Sequence, residues 1–402
     1  MKRLYILPLS IMLALLLAFT GCTATSPPSI SVPPSTPSTT AEVASTPSVT
    51  TSATDIETTL ENIYARVNPS VVNISIREKQ GANIPDFPGS PFSGPQGPHP
   101  YSQASGSGFA WDTLGHIVTN NHVVANADNI SVTFYDGTTV HASLVGADAD
   151  SDLAVIKVDT NAIQLQPVTM ADSAQLKVGQ LAIAIGNPFG LQSTLTVGYV
   201  SGLGRLLPTD NNAAGPTYSI PDIIQTDAAI NPGNSGGVLL DATGKVIGVT
   251  SSIATTSGTS AGVGFAIPSA IVQQVVPALI KTGHYDHPYL GIGIVSMDPD
   301  IASAMNLPTN QRGVLVETVT AGSPADKAGL KASKTPVTIN GQQAMVGGDV
   351  IVAYNDQVVK SSDDLITFMA RSGSVGQAIT LAVLRDGKQI QVQATLGLRP
   401  SS

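Results

Sequence analysis

The chain has 402 residues, a formal net charge of −9, 42% apolar and only 12% charged residues, and a single cysteine. That length allows two or three domains with real cores, and abundant glycine and proline suit a β-rich chain with many turns. The acidic balance argues against a nucleic-acid partner, a lone cysteine excludes an intramolecular disulfide, and without a Walker loop or a metal-ligand cluster in the sequence no cofactor is implied.

Lys2-Arg3 followed by the apolar run Leu4 to Phe19, broken by Pro8, reads as a secretory signal. It is short for a membrane span, which needs about 20 apolar residues. Removing residues 1–21 takes away Lys2 and Arg3 and moves the net charge from −9 to −11. Phe19-Thr20-Gly21-Cys22 resembles a bacterial lipobox, with Phe19 where leucine is usual. This implies that Cys22 is the lipidated first residue of the mature chain. A non-cleaved signal anchor is the alternative, and both readings tether the protein to the outer face of the cytoplasmic membrane. Thr23 to Thr54 is almost wholly Ser, Thr, Pro, Ala and Val, too poor in large apolar residues to pack. It reads as a disordered leash reaching up to about 100 Å if extended.

Asp55 is placed to cap a helix in which Ile56, Leu60, Ile63, Tyr64 and Val67 recur at helical spacing, and Pro69 stops it. Ser70 to Ile76 reads as a strand. Residues 78–105 form a Gly/Pro/Ser-rich loop carrying Phe87, Phe92 and Tyr101, either functional or disordered. Ser107 to Trp111 reads as a strand, with a turn at Asp112 to Gly115 and a further strand leading to His122. His116 and His141 read as structural. Ile130 to Tyr135 and Thr138 to Leu144 flank Asp136-Gly137 as a hairpin. A second β unit begins near Pro167, with strands at Leu181 to Asn187 and Thr194 to Leu203 and a polar loop from Arg205 to Tyr218. Val238-Leu240 and Val246-Val249 form a hairpin around Asp241 to Gly244, and Gly262 to Ile267 is the last strand of this unit. The small residues Ala254 to Ala261 make a loop expected to be mobile. Ser269 to Thr282 is a helix despite Pro277, ended by Gly283. The boundary there divides 55–283 from 284–402. Further on, Asp363 starts a helix to Met369, and strands run from Ile379 to Leu396.

Gln225-Thr226-Asp227-Ala228-Ala229-Ile230-Asn231-Pro232-Gly233-Asn234-Ser235-Gly236-Gly237 sits within this frame. A serine between Gly-Asn and Gly-Gly lies on backbone able to turn sharply. Such a turn can aim the N–H groups of Gly233 and Ser235, with Asn234 between them, at one point, as an oxyanion hole requires. Alone, the stretch reads as a Gly-rich β-turn. Upstream, Thr119-Asn120-Asn121-His122-Val123-Val124 ends an apolar run in a histidine, and Asp150-Ser151-Asp152 is an acidic turn feeding the strand Leu153 to Val158. The order His…Asp…Ser is that of a chymotrypsin-type triad: His122 takes the proton of Ser235, and an aspartate orients the imidazole. Asp148 and Asp150 compete with Asp152 for that role. GNSGG also fits the GxSxG elbow of α/β-hydrolases, but that fold needs a helix after the serine and its histidine last, and a hairpin follows here.

Five segments together, TNNHVV (119–124), SDLAVIKV (151–158), GYVSGLGR (198–205), QTDAAINPGNSGG (225–237) and GVGFAIP (262–268), resemble the HtrA/Deg trypsin-like serine proteases, and the resemblance runs from about Ile56 to Leu398. It implies a mainly β fold: a chymotrypsin-like double β-barrel followed by a PDZ domain. Tyr289-Leu290-Gly291-Ile292 resembles the carboxylate-binding loop of PDZ domains, and Gly322 to Leu330 and Gly348-Asp349-Val350-Ile351 support it. The stretch Lys331 to Gly347 is longer than the usual link between those motifs.

By resemblance the enzyme is a serine endopeptidase with Asp152 as the triad acid, where the motif and the strand both start. Arg205 is either the arginine of a sensor loop that orders the active site or a solvated surface residue. The loop at 78–105 contacts neighbouring subunits of a homotrimer. The base of the primary pocket is Ala229, flanked by Ala228 and Ile230. No carboxylate is there to pair with Lys or Arg, so small or medium apolar residues precede the cut, unfolded exported proteins are the substrates, and peptide C-termini bind the PDZ domain. Asn234, uncharged, stands where digestive serine proteases carry the aspartate that pairs with a new N-terminus. The competing class is binding without catalysis, as an adaptor or a chaperone.

Overall fold

Two closed six-stranded antiparallel barrels stand one after the other in the chain, each built by strands whose apolar residues point to a common centre. The computed structural model describes residues 53–79, 101–161, 163–188, 190, 193–208, 219–251 and 262–400. The signal sequence, Cys22, the leash, Phe87, Phe92, the polar loop 209–218 and the small-residue loop 254–261 lie outside these residues.

The first barrel contains β1 (Val71–Lys79), β2 (Tyr101–Ala110), β3 (His116–Thr119), β4 (Asn129–Thr133), β5 (Thr139–Asp148) and β6 (Leu153–Val158), in the order β1-β2-β3-β6-β5-β4. The second contains β7 (Leu181–Gly186), β8 (Thr194–Pro208), β9 (Ser219–Thr226), β10 (Val238–Leu240), β11 (Val246–Ser251) and β12 (Gly264–Pro268), in the order β10-β11-β12-β9-β8-β7. Ile74, Ile117 and Ile156 fill the first, and Ala182, Leu239 and Ile247 belong to the core of the second. A separate shared core gathers Phe109, Val118 and Leu153 from the first barrel with Ile183, Ile185 and Val238 from the second. Each such side chain contributes about 1.5–3 kcal/mol when buried, so the seam between the barrels is held as firmly as either interior.

The helix α1 (Ala53–Val67) adds Ile63 and Val67 to this shared core, while Ile56 is half exposed. The helix begins ahead of the expected cap: Asp55 lies in its first turn, where a carboxylate favours the helix dipole. A short helical turn, α2 (Asn121–Val124), follows β3. The helix α3 (Ser269–Thr282) leaves the second barrel and packs on β5 and β6 of the first. It ends as expected at Gly283, which is left-handed (φ 81°) and donates its N–H to Leu279 O at 3.0 Å.

Two strands outrun their apolar patterns. β1 and β2 continue through polar residues until Lys79 pairs with Tyr101, so both ends of the expected 78–105 loop are strand. β8 continues to Pro208 instead of ending at Leu203, and Arg205 pairs with Ile223 of β9. Register shifts between Val200 and Leu207 carry the ladder through Gly202 and Gly204. Backbone pairing there does not depend on the side-chain alternation from which strands are read.

The C-terminal part is a PDZ domain. Ile292–Ser296, Val314–Val319, Val350–Tyr354, Ala378–Arg385 and Lys388–Thr395 form its sheet in that order, and the helix Ser362–Ser372 flanks it. That helix opens with a capping box between Ser361 and Asp364 and outruns the expected Asp363–Met369 at both ends. The extra length between Lys331 and Gly347 is a hairpin, Thr335–Ile339 with Gln342–Val346, turning on Asn340-Gly341 (φ 51° and 80°). An Asn-Gly pair between two strand-like runs is a strong hairpin signal, and it stands in the sequence.

The PDZ domain docks on the double barrel. Arg371 grips the buried Asp222 of β9 through Nε and Nη2 at 2.6 and 2.5 Å, and Gln274 of α3 donates Nε2–H to Arg371 O. Among the described residues no helix is long and apolar enough to cross a membrane.

Candidate active site

β3 ends in polar residues that the fold uses at once. Val123 and Val124 are buried and fix α2, so His122 stands at the surface with its side chain about one third exposed (33%). Its Nδ1 lies 2.8 and 2.9 Å from the two carboxylate oxygens of Asp152, and its backbone N–H donates to Asp152 Oδ1 at 3.0 Å. A ring held through Nδ1–H by a carboxylate keeps Nε2 as the proton acceptor.

Asp152 is itself held. It is buried, with a left-handed backbone (φ 53°). Its carbonyl accepts Asn120 Nδ2–H at 3.0 Å and Asn121 N–H at 3.1 Å, and Ser251 Oγ donates to its Oδ2 at 3.4 Å. The two neighbouring aspartates face elsewhere. Asp148 accepts from Ser151 and pairs with His287 Nε2 at 2.9 Å, and Asp150 pairs with Arg399 Nη1 at 2.7 Å. Of the three, Asp152 meets His122 among the described residues.

Ser235 lies in the turn between β9 and β10. Gly233 and Gly236 bracket it with φ of 92° and 83°. At Gly236 a Cβ would come within 2.1 Å of Ser107 O and 2.4 Å of Thr119 Oγ1, so only glycine fits. The neighbouring amides are committed: Asn234 N–H donates to Asn231 O, Gly236 N–H to Thr250 O and Gly237 N–H to Asn234 O, each at 2.9 Å. The N–H of Asn234 thus closes the turn on Asn231 O. The carbonyl of Ser235 and the side chain of Val123 converge on Gly106, where a Cβ would lie 3.3 and 2.7 Å from them. Gly106 therefore brings the serine turn up against the residue following His122.

Ala228 and Ile230 are fully buried and Ala229 half-buried, its carbonyl accepting Thr196 Oγ1–H at 3.0 Å. Ile230 Cγ1 lies 2.5 Å from where a Cβ on Gly264 would stand, so β12 runs tightly against it. Arg205 is exposed on β8.

Tyr289-Leu290-Gly291-Ile292 helps line a cleft of about 350 Å³ between the PDZ domain and the double barrel. Leu365 and Met369 of the PDZ helix form one wall, and Ile271, Asp150 and Ser151 reach it from the other side. That the double barrel contributes here is not visible in the linear order of residues. Folding also gathers Asp148, Asp150 and His287, whose ligand atoms lie within 4.8 Å of one another, a grouping that spacing conceals. These groups are engaged with one another, with Ser151 and with Arg399. Ser107, Asn120 and Ser251 around the triad candidates were likewise missed. The one available sign for Ser107 was its place between Gly106 and Gly108, since glycines in a strand mark close backbone approach.

The trypsin-like peptidase domain family matches residues 106–249, and the PDZ domain family matches residues 288–396. Protease Do-like 1, chloroplastic, from Arabidopsis thaliana is 43% identical over 298 residues, covering 74% of this chain and 64% of its own length. A probable periplasmic serine endoprotease DegP-like from Hahella chejuensis is 40% identical over 355 residues, covering 84% of this chain and 70% of its own length. Among solved structures, the HtrA-type protease AlgW with tripeptide is similar with a TM-score of 0.63 at 34% identity, covering 85% of this chain and 98% of that one. The same protease with decapeptide gives 0.61 at 32% identity, covering 85% and 99%.

Proposed function

The chain belongs to the HtrA/DegP-like family of trypsin-like serine endoproteases, with one C-terminal PDZ domain, and on that premise we propose that it is an ATP-independent endopeptidase that cleaves unfolded exported proteins in the cell envelope. The observation that carries this reading is the contact of His122 Nδ1 with both oxygens of the buried Asp152, beside the turn that bears Ser235. In this reading Ser235 attacks the peptide carbonyl and His122 Nε2 takes its proton and returns it to the leaving amine. Asp152 stabilises the imidazolium, and the N–H groups of Gly233 and Ser235 receive the oxyanion. Residues 55–283 form the catalytic part and 284–402 the peptide-binding part, behind a signal at 1–21 and a leash at 22–54. Cys22, or an uncleaved signal anchor, holds the protein to the outer face of the cytoplasmic membrane. The periplasmic and chloroplastic names of the relatives agree with export. The AlgW structures with peptides agree with peptide C-termini as PDZ ligands, held by the N–H groups of the loop 289–292. A homotrimer is the assembly expected of the family.

The test is cleavage of unfolded casein by the full chain beside its Ser235→Ala variant, with and without a peptide ending in a free apolar carboxylate. Cleavage that the variant lacks supports the protease, and stimulation by the peptide assigns the PDZ domain a regulatory role. A variant as active as wild type refutes the assignment of Ser235. An inert wild type that still protects unfolded clients moves the function to binding.

Specificity follows from the pocket residues. Ala228, Ala229 and Ile230 present no carboxylate, and an unpaired cation buried against them costs several kcal/mol. A peptide panel should therefore show kcat/KM higher after Val, Ala or Ile than after Arg or Lys by at least about 100-fold. Preferred cleavage after Arg or Lys would refute this pocket.

A further inference from the structure

We propose that Ser107 is a positioning residue for the oxyanion-binding turn, a cross-barrel clamp on the Gly233–Asn234 peptide that joins the two peptides carrying the donor N–H groups of Gly233 and Ser235. The inference rests on the protease reading and adds a residue that is not part of the triad.

Ser107 belongs to β2 of the first barrel and is fully buried. All of its polar groups are spent on the site. Its N–H donates to Ser235 O at 2.7 Å, and its carbonyl accepts Thr119 Oγ1–H at 2.7 Å, three residues before His122. Its Oγ accepts the N–H of Asn187, at the end of β7, at 2.8 Å. A hydroxyl has one proton, and that proton goes to Gly233 O at 2.6 Å. Through its hydroxyl at Gly233 and its backbone N–H at Ser235, one residue thus joins the first barrel to both sides of the nucleophile.

The physical need arises from Gly233 itself. An oxyanion hole works because its donors are already aimed before charge develops. Gly233 has a positive φ of 92° and no Cβ to restrict it, so its own torsions do not hold the N–H direction. The constraint has to come from its neighbours. Asn234 N–H on Asn231 O and Ser107 Oγ–H on Gly233 O hold the Gly233–Asn234 peptide, which carries neither donor itself but links the peptide bearing Gly233 N–H to the one bearing Ser235 N–H. Pro188 closes the space beside Gly233, where a Cβ would stand 2.5 Å from Pro188 Cβ. Without the Ser107 hydroxyl that peptide keeps one tether, and Gly233 O and Asn187 N–H both lose a buried partner. The loss falls on the transition state, since Ser107 is buried behind the turn.

The test compares the full-length wild type with Ser107→Ala and Ser107→Cys. Cysteine is slightly larger than serine, so it leaves no cavity, but its S–H donates weakly. Ser173→Ala serves as the control for deleting a buried hydroxyl elsewhere. Ser173 Oγ accepts Ala270 N–H at 3.0 Å and is equally hidden, but lies outside the site. Three quantities are read on an apolar-P1 peptide substrate: kcat, KM and the affinity of a matching peptide boronate, which captures the tetrahedral geometry. Removing an oxyanion donor outright costs about 10²–10³ in kcat, and loosening one should cost less, about 10- to 100-fold. Both Ser107 variants should lose that factor in kcat, keep KM within about threefold, and lose boronate affinity by the same factor. Ser173→Ala should show a lower unfolding temperature with kcat and boronate affinity unchanged. If Ser107→Ala does not fold, Ser107→Cys carries the test. Wild-type kcat and boronate affinity in a folded Ser107 variant would overturn the clamp while leaving the protease reading intact. An inert wild type would remove the protease reading and the clamp with it.

Discussion

Replacing Asp152 by Asn should lower kcat on an apolar-P1 peptide by about 10⁴-fold, with little change in KM. The argument is one of proton placement. In the wild type both oxygens of Asp152 face His122, Oδ1 accepting the backbone N–H at 3.0 Å and Oδ2 lying 2.8 Å from Nδ1. An asparagine keeps the shape. Its Oδ1 must stay on the backbone N–H of His122, because an amide nitrogen there would face a donor. The NH₂ group then falls beside Nδ1 and donates to it. The ring is left with its proton on Nε2, the wrong tautomer for taking one from Ser235. The imidazolium, if formed, would also lose the buried charge that stabilises it. Asp152 lies behind the ring, so substrate binding should survive and the loss should appear in kcat. The same change at Asp150, whose carboxylate faces Arg399, leaves this relay untouched. Steady-state kinetics decide the matter: a loss of less than about tenfold for Asp152→Asn would show that the pair has no role in proton transfer.

The contrast among these aspartates shows what a linear reading can and cannot reach. His122, Asp152 and Ser235 are nameable because the residue types, their order and the flanking turns are local features of the sequence. Strand positions within the barrels are legible because apolar residues alternate or run continuously, and the α3 helix because its periodicity is sustained up to Gly283. Contacts that depend on two distant segments meeting are not legible. Ser107 reads as an ordinary strand residue until the serine turn is folded against it. Asp148 and Asp150 read as rivals of Asp152 until His287 and Arg399, more than a hundred positions away, are seen to hold them. The hairpin at 335–346 is a different kind of miss, since its Asn-Gly turn is a local signal. There the stretch reads in linear order only as longer than the usual PDZ link, although its residues state the hairpin themselves.

The docking of the PDZ domain gives the second large effect. Arg371→Met should lower the free energy of opening the seam between the PDZ helix and β9 by about 3–5 kcal/mol, because it leaves a buried carboxylate without its partner. Asp222 is 1% exposed and meets both nitrogens of the Arg371 fork. Cut that fork, and the carboxylate either stays buried at full cost or regains water by separation of the two parts. Hydrogen exchange at Ile223 and Ile224 and in the helix Ser362–Ser372 reads both routes, and unchanged exchange in Arg371→Met would refute the pair as a clasp. Adding Asp222→Asn should recover most of the loss, since a neutral amide does not need the cation. The pH dependence follows from the sign of the perturbation. Burial pushes the Asp222 carboxyl above its ordinary value, against the pull of Arg371. A carboxyl raised in the folded state binds its proton more tightly there than in the unfolded chain. Its contribution to stability is therefore complete below the unfolded value of about 3.9 and is lost as pH rises through the folded one. Asp222→Asn has no such group, so its stability relative to wild type should increase from about pH 4 upward and level off above the raised value. A difference that is flat with pH, or that falls, would mean that Arg371 outweighs burial at this seam.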